Sequence, residues 1–239
     1  VSLFLFILII LLFSSFHIVR FIGYFHMTVC RIDSSIPFDS NIYLITGRSG
    51  ILVDCGTGLD SDNVIEGIWN ALDGLRLSCV LLTHCHADHS GGLSSIVREF
   101  GCPAYMGTLD LGPYSSNDRD VLFSRQLGVE VDPVGCKALS EGEVFDIGDH
   151  RLRAISTPGH TAGGLCFYDE VTRSLFSGDT VFARGYGRTD LPGGSTSKLA
   201  ESLSKLRNVN IGMMYPGHGP ASPDGNESVR EAVKMMERW

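Results

Sequence analysis

Three histidines and one aspartate lie within six consecutive residues, and this cluster constrains what the chain can fold into more than any other feature. They are His84, His86, Asp88 and His89. The apolar residues 79–82 before the cluster and Ser90-Gly91-Gly92 after it predict a buried strand, a tight loop and then a helix. Imidazole and carboxylate groups are the usual ligands of zinc and similar cations. Because neighbouring side chains of a strand face opposite ways, we expect a loop that bends these four around one or two ions.

The composition is that of a folded, acidic protein. The chain has 239 residues, enough for one sizeable α/β domain or two small ones, and 44% of them are hydrophobic. With a formal net charge of −8 it lacks the basic footprint of nucleic-acid binding, so we expect no nucleic-acid partner. The seven cysteines include no C-x-x-C pair, and their odd number argues against a disulfide framework. Reduced thiols predict a cytoplasmic location.

The first 26 residues form a hydrophobic leader that differs from the rest of the chain. Residues 3–13 are an unbroken hydrophobic run, and the first charged residue is Arg20. The leader is borderline for a membrane span, which needs about 20 apolar residues, and it lacks the basic start and cleavage site of a signal peptide. Two interpretations stay open: a start site placed too far upstream of Met27, or a membrane anchor with a cytoplasmic body, which Arg20 favours. Residues 27–239 are the predicted folded domain.

Sequence patterns divide this domain into many short elements. Period-two runs between turn residues predict strands at 41–46, 51–54, 79–83, 104–106, 144–147, 151–156, 164–168, 174–177 and 209–214. Helical spacing predicts helices at 62–72, 93–100, 198–206 and 227–238. Residues 107–137 have weak periodicity and many turn residues, so we expect a helix-and-loop excursion near the rim of the site.

Three further polar residues each follow a β-rich run at a glycine-bearing turn. They are His160 in T-P-G-H-T, Asp179 in S-G-D-T and His218 in Y-P-G-H-G. Each is a weak indication alone, because glycine followed by a polar residue is common in turns. Together with the cluster, they supply further imidazoles and a carboxylate able to bridge two ions.

The order H-x-H-x-D-H, then His, then Asp, then His resembles the metallo-β-lactamase superfamily across residues 41–220. The resemblance implies an α/β fold, a four-layer αββα sandwich with its site at one edge between two sheets. It also implies His84, His86 and His160 on a first ion, Asp88, His89 and His218 on a second, and Asp179 bridging both. Asp54 matches the aspartate that closes the second strand in this superfamily, and it would support the ligand loop.

The segment that follows Asp179 resembles two particular groups of enzymes within this superfamily. Residues 187–194, G-R-T-D-L-P-G-G, look like the glyoxalase II (hydroxyacylglutathione hydrolase) group of thioester hydrolases. The overlapping residues 183–190, A-R-G-Y-G-R-T-D, also look like the persulfide dioxygenases, and that likeness implies a single iron on His84, His160 and Asp179. We therefore predict a metal-dependent hydrolase, with an iron-dependent dioxygenase as the alternative.

Hydrolysis by such a protein would require an activated water. Two divalent ions about 3.5–4 Å apart can share a water and lower its pKa, and the resulting hydroxide would attack a thioester or ester carbonyl. Zinc is the expected metal, with iron and manganese as alternatives. Asp88 is the expected catalytic residue, because it would orient the water and could accept its proton. Arg184, Tyr186 and Arg188 could bind an acidic group of a small-molecule substrate, although Arg188 could equally pair with Asp190.

Overall fold

Residues 28–238 are described by the structure, a computed structural model of the chain. The strands are β1 (Thr28–Ile32), β2 (Ile42–Thr46), β3 (Gly50–Val53), β4 (Leu77–Leu81), β5 (Ala104–Gly107), β6 (Cys136–Leu139), β7 (Val144–Asp146), β8 (Arg151–Ser156), β9 (Leu165–Asp169), β10 (Ser174–Gly178) and β11 (Met214–Pro216). The helices are α1 (Ser61–Leu72), α2 (Ala87–Ser90), α3 (Leu93–Phe100), α4 (Leu111–Ser115), α5 (Ser124–Leu127), α6 (Thr196–Leu206) and α7 (Gly225–Met236).

The predictions for residues 1–26 concern a part of the chain outside the described residues. Within residues 28–238, no helix combines the length and the apolar character that crossing a membrane requires.

The strands form two mixed sheets. The first has six strands in the order β1-β2-β3-β4-β5-β6, and the second has five in the order β11-β10-β9-β8-β7. Strands β3 to β6 run parallel, whereas the second sheet is antiparallel except for the parallel pair β10 and β11. Ligand sites of α/β sheets are usually built outside the carboxyl ends of such strands.

Three apolar layers separate four layers of secondary structure. Phe167 and other strand residues fill the space between the two sheets. Helices α1 and α3 cover the outer face of the first sheet with Ile68 and Ile96. Helices α6 and α7 cover the second sheet with Leu203 and Val229. The predicted four-layer αββα sandwich is thereby confirmed.

Strand β4 shows how the sequence pattern places the ligand loop. Its Val80 packs on the helix side of the first sheet, whereas Cys79 and Leu81 pack toward the second sheet. A strand that is covered on both faces has a continuous apolar sequence, as residues 79–82 do. The ligand loop therefore starts deep in the molecule, where the two sheets meet.

Most predicted elements are present, with ends within two residues of the prediction. The strand predicted at 209–214 is wrong, because β11 begins only at Met214. Val209 and Ile211 lie in turns, and their N–H groups donate to the carbonyls of Leu206 and Val209. Ile211 is buried in the third apolar layer, so the apolar spacing reflects a packed turn. The sequence patterns also do not predict β6, whose two central residues are exposed.

Candidate metal centre

The clustered ligand residues follow β4 in a loop that passes into one turn of helix. His84 and His86 lie in irregular backbone, and Asp88 and His89 lie in α2. The N–H groups of His89 and Ser90 both donate to the His86 carbonyl, at 3.0 and 2.9 Å. This turn brings all four side chains to one end of the sheet.

Asp54 anchors this loop from the end of β3. Its backbone has a positive φ of 61°. Its Oδ1 accepts the N–H of Thr83 at 2.8 Å, and its Oδ2 accepts the Thr83 hydroxyl at 2.8 Å. The same Oδ2 lies 2.8 Å from His89 Nδ1. A carboxylate on Nδ1 orients the ring and leaves Nε2 to face a cation.

Three buried imidazoles form the first group: His84, His86 and His160. Their ring centroids lie 4.7 Å (His84–His86), 4.8 Å (His84–His160) and 4.6 Å (His86–His160) apart. Burial, with a smaller contribution from nearby His89, lowers the pKa of His84 well below its usual value, and burial lowers the pKa of His86 to about 3. His160 Nδ1 donates to the Arg188 carbonyl at 2.7 Å. Both effects keep ring nitrogen lone pairs available for a cation at neutral pH.

The second group consists of Asp88, His89 and His218. Asp88 Oδ2 lies 3.0 Å from His218 Nε2 and 3.8 Å from His89 Nε2. The His218 side chain is 35% exposed, whereas that of His89 is fully buried. This group therefore has one open side, and it contains a carboxylate that the first group lacks.

Asp179 lies between the two groups. Its Oδ1 is 3.3 Å from His89 Nε2. Its Oδ2 is 3.6 Å from His160 Nε2 and 3.7 Å from His218 Nε2. One carboxylate thus faces both groups, which is the placement that a bridging ligand requires.

Gly217 allows the His218 loop to approach this carboxylate. A Cβ atom at this position would collide with Asp179 Oδ1 and lie 2.6 Å from His89 Cε1. The glycine before His218 is therefore required for close approach, and its role goes beyond that of a turn residue.

The unpaired atoms of the site fit a cation. Within residues 28–238, buried atoms without a hydrogen-bond partner include Nε2 of His84, His86, His89 and His160 and Oδ1 of Asp179. Each such atom costs about 1–3 kcal/mol when it is left unsatisfied. Five of them in one place indicate a shared partner.

The charged groups of the site also fit a bound cation. Burial alone would lower the pKa of His89, but the carboxylates of Asp54, Asp179 and Asp88 raise it well above its usual value. His89 in turn lowers the pKa of Asp88 and Asp179, although burial opposes this. Three sets of ligand atoms, each within 4.8 Å of one another, overlap in this region. The cluster of histidines and aspartates therefore fits a dinuclear metal site.

The three residues predicted to bind substrate have different surroundings. Arg188 pairs with Asp190 through two contacts of 2.8 and 2.6 Å, and its guanidinium lies 5.8 Å from the Phe123 ring centroid. Tyr186 packs against the third apolar layer. Arg184 is exposed. The structure thus contains the Arg188–Asp190 pair that the sequence leaves open, and contact of the three residues with a substrate stays a prediction.

Asp110 is a buried residue of the site that the sequence patterns do not indicate. It is 2% exposed, and burial raises the pKa of its carboxyl, although several hydrogen bonds oppose this. Its side chain contacts the loops of His84 and His160. An aspartate before a short helix resembles an ordinary helix cap, so sequence alone offers no indication of this role.

Comparison with known proteins agrees with this geometry. The profile of the metallo-β-lactamase superfamily matches residues 35–218. The chain belongs to this superfamily.

Similar proteins within the superfamily come from fungi and archaea. Lactamase-like protein aptB of Emericella nidulans is 34% identical over 83% of this chain and 57% of its own length. Probable metallo-hydrolase MJ0888 of Methanocaldococcus jannaschii is 35% identical over 76% of this chain and 88% of its own length. An atrochrysone carboxyl ACP thioesterase of Aspergillus fumigatus is 28% identical over 83% of this chain and 56% of its own length. The chain thus spans little more than half the length of these fungal relatives.

A solved structure that is similar in sequence has the same overall architecture. TTHA1623 in a di-iron-bound form is 31% identical, with a TM-score of 0.69 over 84% of this chain and 96% of that one. The match supports the fold and shows that a similar chain holds two irons.

Proposed function

We propose that the protein is a metal-dependent hydrolase that cleaves a thioester or a related ester. The observation that carries the proposal is the convergence of seven ligand side chains in two adjoining groups. The names of two relatives, a probable metallo-hydrolase and an ACP thioesterase, support hydrolysis and a thioester substrate. The most specific form of the proposal is a glyoxalase II-like hydrolase, and this form depends on the sequence of residues 187–194.

Each group of side chains would hold one of two ions. His84, His86 and His160 would hold one ion, and Asp88, His89 and His218 the other, with Asp179 contacting both. Two bound divalent ions supply a water of lowered pKa and positive charge for a developing oxyanion. Zinc is the metal we propose. Iron is the alternative, because TTHA1623 binds two irons.

The chain's own residues would orient the reactants. Asp88 belongs to the more open group, and its lowered pKa keeps it ionised, so it would orient the attacking water by accepting a hydrogen bond from it. It would accept the proton of that water because bound ions lower the pKa of the water. Asp54 and the Arg188 carbonyl would keep His89 and His160 in the required ring orientations. The exposed Arg184 would attract an acidic group of a small-molecule substrate.

The alternative function is a persulfide dioxygenase with a single iron. Its three expected ligands, His84, His160 and Asp179, are close together in this chain. A single-iron site does not need Asp88, His89 and His218, which nevertheless form a second group here. This second group is why we favour the hydrolase.

Metal analysis and two assays on the purified full chain distinguish these functions. We expect about two ions per chain and thiol release from S-lactoylglutathione or another acyl thioester. The His218→Ala variant should lose one ion and most of the thiol release. About one iron per chain, with oxygen uptake on glutathione persulfide and without thioester cleavage, would overturn the hydrolase.

We also propose a cytoplasmic location. All seven cysteines are free thiols in the structure, and Cys85, between two ligand histidines, is fully buried. Free thiols support a reducing compartment. Fractionation of cells that express the full chain tests the location, and recovery in a membrane fraction would favour the anchor interpretation.

A further inference from the structure

Asp110 connects two loops of the first ligand group. Its Oδ2 accepts the N–H of Cys85 at 3.0 Å and the hydroxyl of Thr161 at 2.8 Å. Its Oδ1 accepts the N–H of Gly163 at 2.6 Å. Cys85 separates two first-group histidines, and Thr161 directly follows the third. One buried carboxylate therefore sets the spacing of all three imidazoles.

The contacts of Asp110 go to these loops and not to its own helix. It occupies the N-cap position of α4, but its side chain makes no capping hydrogen bond there. A buried carboxylate is costly unless donors surround it. All three of its side-chain donors belong to residues next to first-group ligands or within three positions of one.

Asn41 has a similar relation to the second group. Its side-chain Nδ2 donates to the carbonyls of Pro216 and Gly219, both at 2.9 Å. Its backbone N–H donates to the Gly217 carbonyl at 2.6 Å. Three donors from one residue thus hold the carbonyls on both sides of His218.

The residue before Asn41 extends this connection to another second-group ligand. The N–H of Ser40 donates to the Asp88 carbonyl at 3.1 Å. Residues 40 and 41 therefore join the loop of Asp88 to the loop of His218, which are 130 positions apart in sequence.

We propose that Asp110 and Asn41 are positioning residues that hold the two ligand groups independently, Asp110 the first group and Asn41 the second. The proposal rests on the dinuclear metal centre proposed above. In residues 28–238, the side-chain hydrogen bonds of Asp110 reach the loops around His84 and His160, whereas those of Asn41 reach the His218 loop.

The two residues can be changed with little change of shape. Asn41→Asp puts an acceptor where two carbonyl oxygens need a donor, so the His218 loop loses both side-chain bonds. Asp110→Asn puts an amide donor among three donors, so at least one bond to a first-group loop is lost. Supporting contacts of metal ligands are worth about 10- to 100-fold in metal affinity. Asn41→Asp should lower the affinity for the second ion by this factor, and Asp110→Asn that for the first.

Cobalt binding to the full chain can report the two groups separately. The chelator-stripped protein is titrated with Co²⁺, and its visible absorption follows each binding step. His160→Ala and His218→Ala supply reference spectra in which one group is incomplete. Asn208→Ala and Asp146→Asn are matched controls, because the Asn208 side chain donates to the Ser204 carbonyl and the Asp146 side chain accepts the Gly148 N–H, both away from the ligand loops.

A crossed result supports the proposal: each variant weakens one spectral component about 10-fold or more and leaves the other within about two-fold. Equal loss of both components in each variant, or no loss beyond that of the controls, would overturn it. If the Asn41→Asp variant does not fold, the Asn41→Ser variant takes its place in the test. This substitution also removes the side-chain amide that donates to Pro216 and Gly219. A wild-type chain that binds fewer than two Co²⁺ ions would contradict the dinuclear centre itself, which separates the two failures.

Discussion

Within residues 28–238, two buried histidines each contact a buried aspartate through Nδ1, but only one of these pairs lies in the candidate metal centre. His89 Nδ1 is 2.8 Å from Asp54, and His150 Nδ1 is 2.7 Å from Asp169. All four side chains are at most 2% exposed. In both histidines, Nε2 is buried without a hydrogen-bond partner among residues 28–238. The two pairs are therefore nearly identical as isolated contacts.

The surroundings of the two histidines differ. His89 Nε2 faces the carboxylates of Asp179 at 3.3 Å and Asp88 at 3.8 Å. His150 belongs to none of the possible ligand groups found in the described part of the chain. A buried carboxylate on Nδ1 thus orients a histidine in either place. A metal site also needs further ligands that converge on Nε2.

The function of Asp169 is to close a turn. It also accepts the N–H groups of Arg151 and Val171, both at 3.1 Å, and the Thr172 hydroxyl at 2.6 Å. These bonds tie the turn after β9 to the start of β8. The His150–Asp169 pair is therefore an internal reference for what such a pair does without a metal.

The largest effect should follow from changing Asp179, which faces Nε2 of His89. Among residues 28–238, His150 has no comparable ligand group around its Nε2. We expect Asp179→Asn to lower kcat/KM for thioester hydrolysis by about a thousandfold, because both ions lose a shared carboxylate. Ions per chain should fall below two. Asp62→Asn, which changes an exposed carboxylate on α1 outside the site, is the control. An Asp179→Asn protein that retains both ions and full activity would contradict the proposed bridge.

Asp169→Asn should affect stability and leave the metals in place. Replacing this buried carboxylate, which accepts several hydrogen bonds, should cost about 3 kcal/mol in free energy of unfolding. Urea unfolding with bound metal, together with metal analysis, measures both quantities. A loss of ions comparable to that in Asp179→Asn would show that the two pairs are not distinct in function.

Asp54→Asn should affect the metals more than Asp169→Asn does. The amide no longer favours the required orientation of His89, so metal affinity should fall about 10- to 100-fold. Competition with a chromophoric chelator measures this affinity. If Asp54→Asn and Asp169→Asn have equal affinities, the Asp54 contact is structural only.

A pH series gives the smallest expected effect and tests Asp169 alone. Burial would raise the pKa of its carboxyl, but hydrogen bonds led by that of His150 lower it from 3.8 to about 2. Because the folded pKa is the lower one, the ionised group stabilises the fold fully above pH 4, and this contribution disappears as pH falls toward 2. The loss amounts to about 2 kcal/mol. The stability difference between chelator-stripped wild type and Asp169→Asn should shrink accordingly between pH 5 and 2, and a constant difference would refute the assignment.

The candidate ligand residues could be proposed from the sequence because four of them are neighbours in it. His84, His86, Asp88 and His89 need only one loop to meet. His160, Asp179 and His218 each follow a strand at a glycine-bearing turn, and this shared context indicates them. The individual strands and helices followed from local periodicity, which packed elements impose on their sequences. Their arrangement in four layers was implied by the resemblance to the superfamily.

The supporting residues Asp110 and Asn41 could not be predicted in the same way. Asp110 precedes a short helix and resembles a cap, but its partners lie up to 53 positions away. Asn41 precedes an ordinary strand, and its partners lie up to 178 positions away. A single sequence contains no local pattern for such distant contacts. The strand at residues 209–214 was predicted wrongly because Ile211 is apolar for its packing in the layer under α6 and α7, and a single sequence does not distinguish this from strand packing.

The division of the ligands between the two sheets has a consequence for the order of assembly. Four ligands follow β4 of the first sheet, and three follow β8, β10 and β11 of the second. During synthesis, a chain that has emerged only as far as β7 contains the loop of residues 84–89 but none of the three later candidate ligands. The proposed ligand set can therefore be complete only after the chain as far as His218 has left the ribosome and the two sheets have packed together.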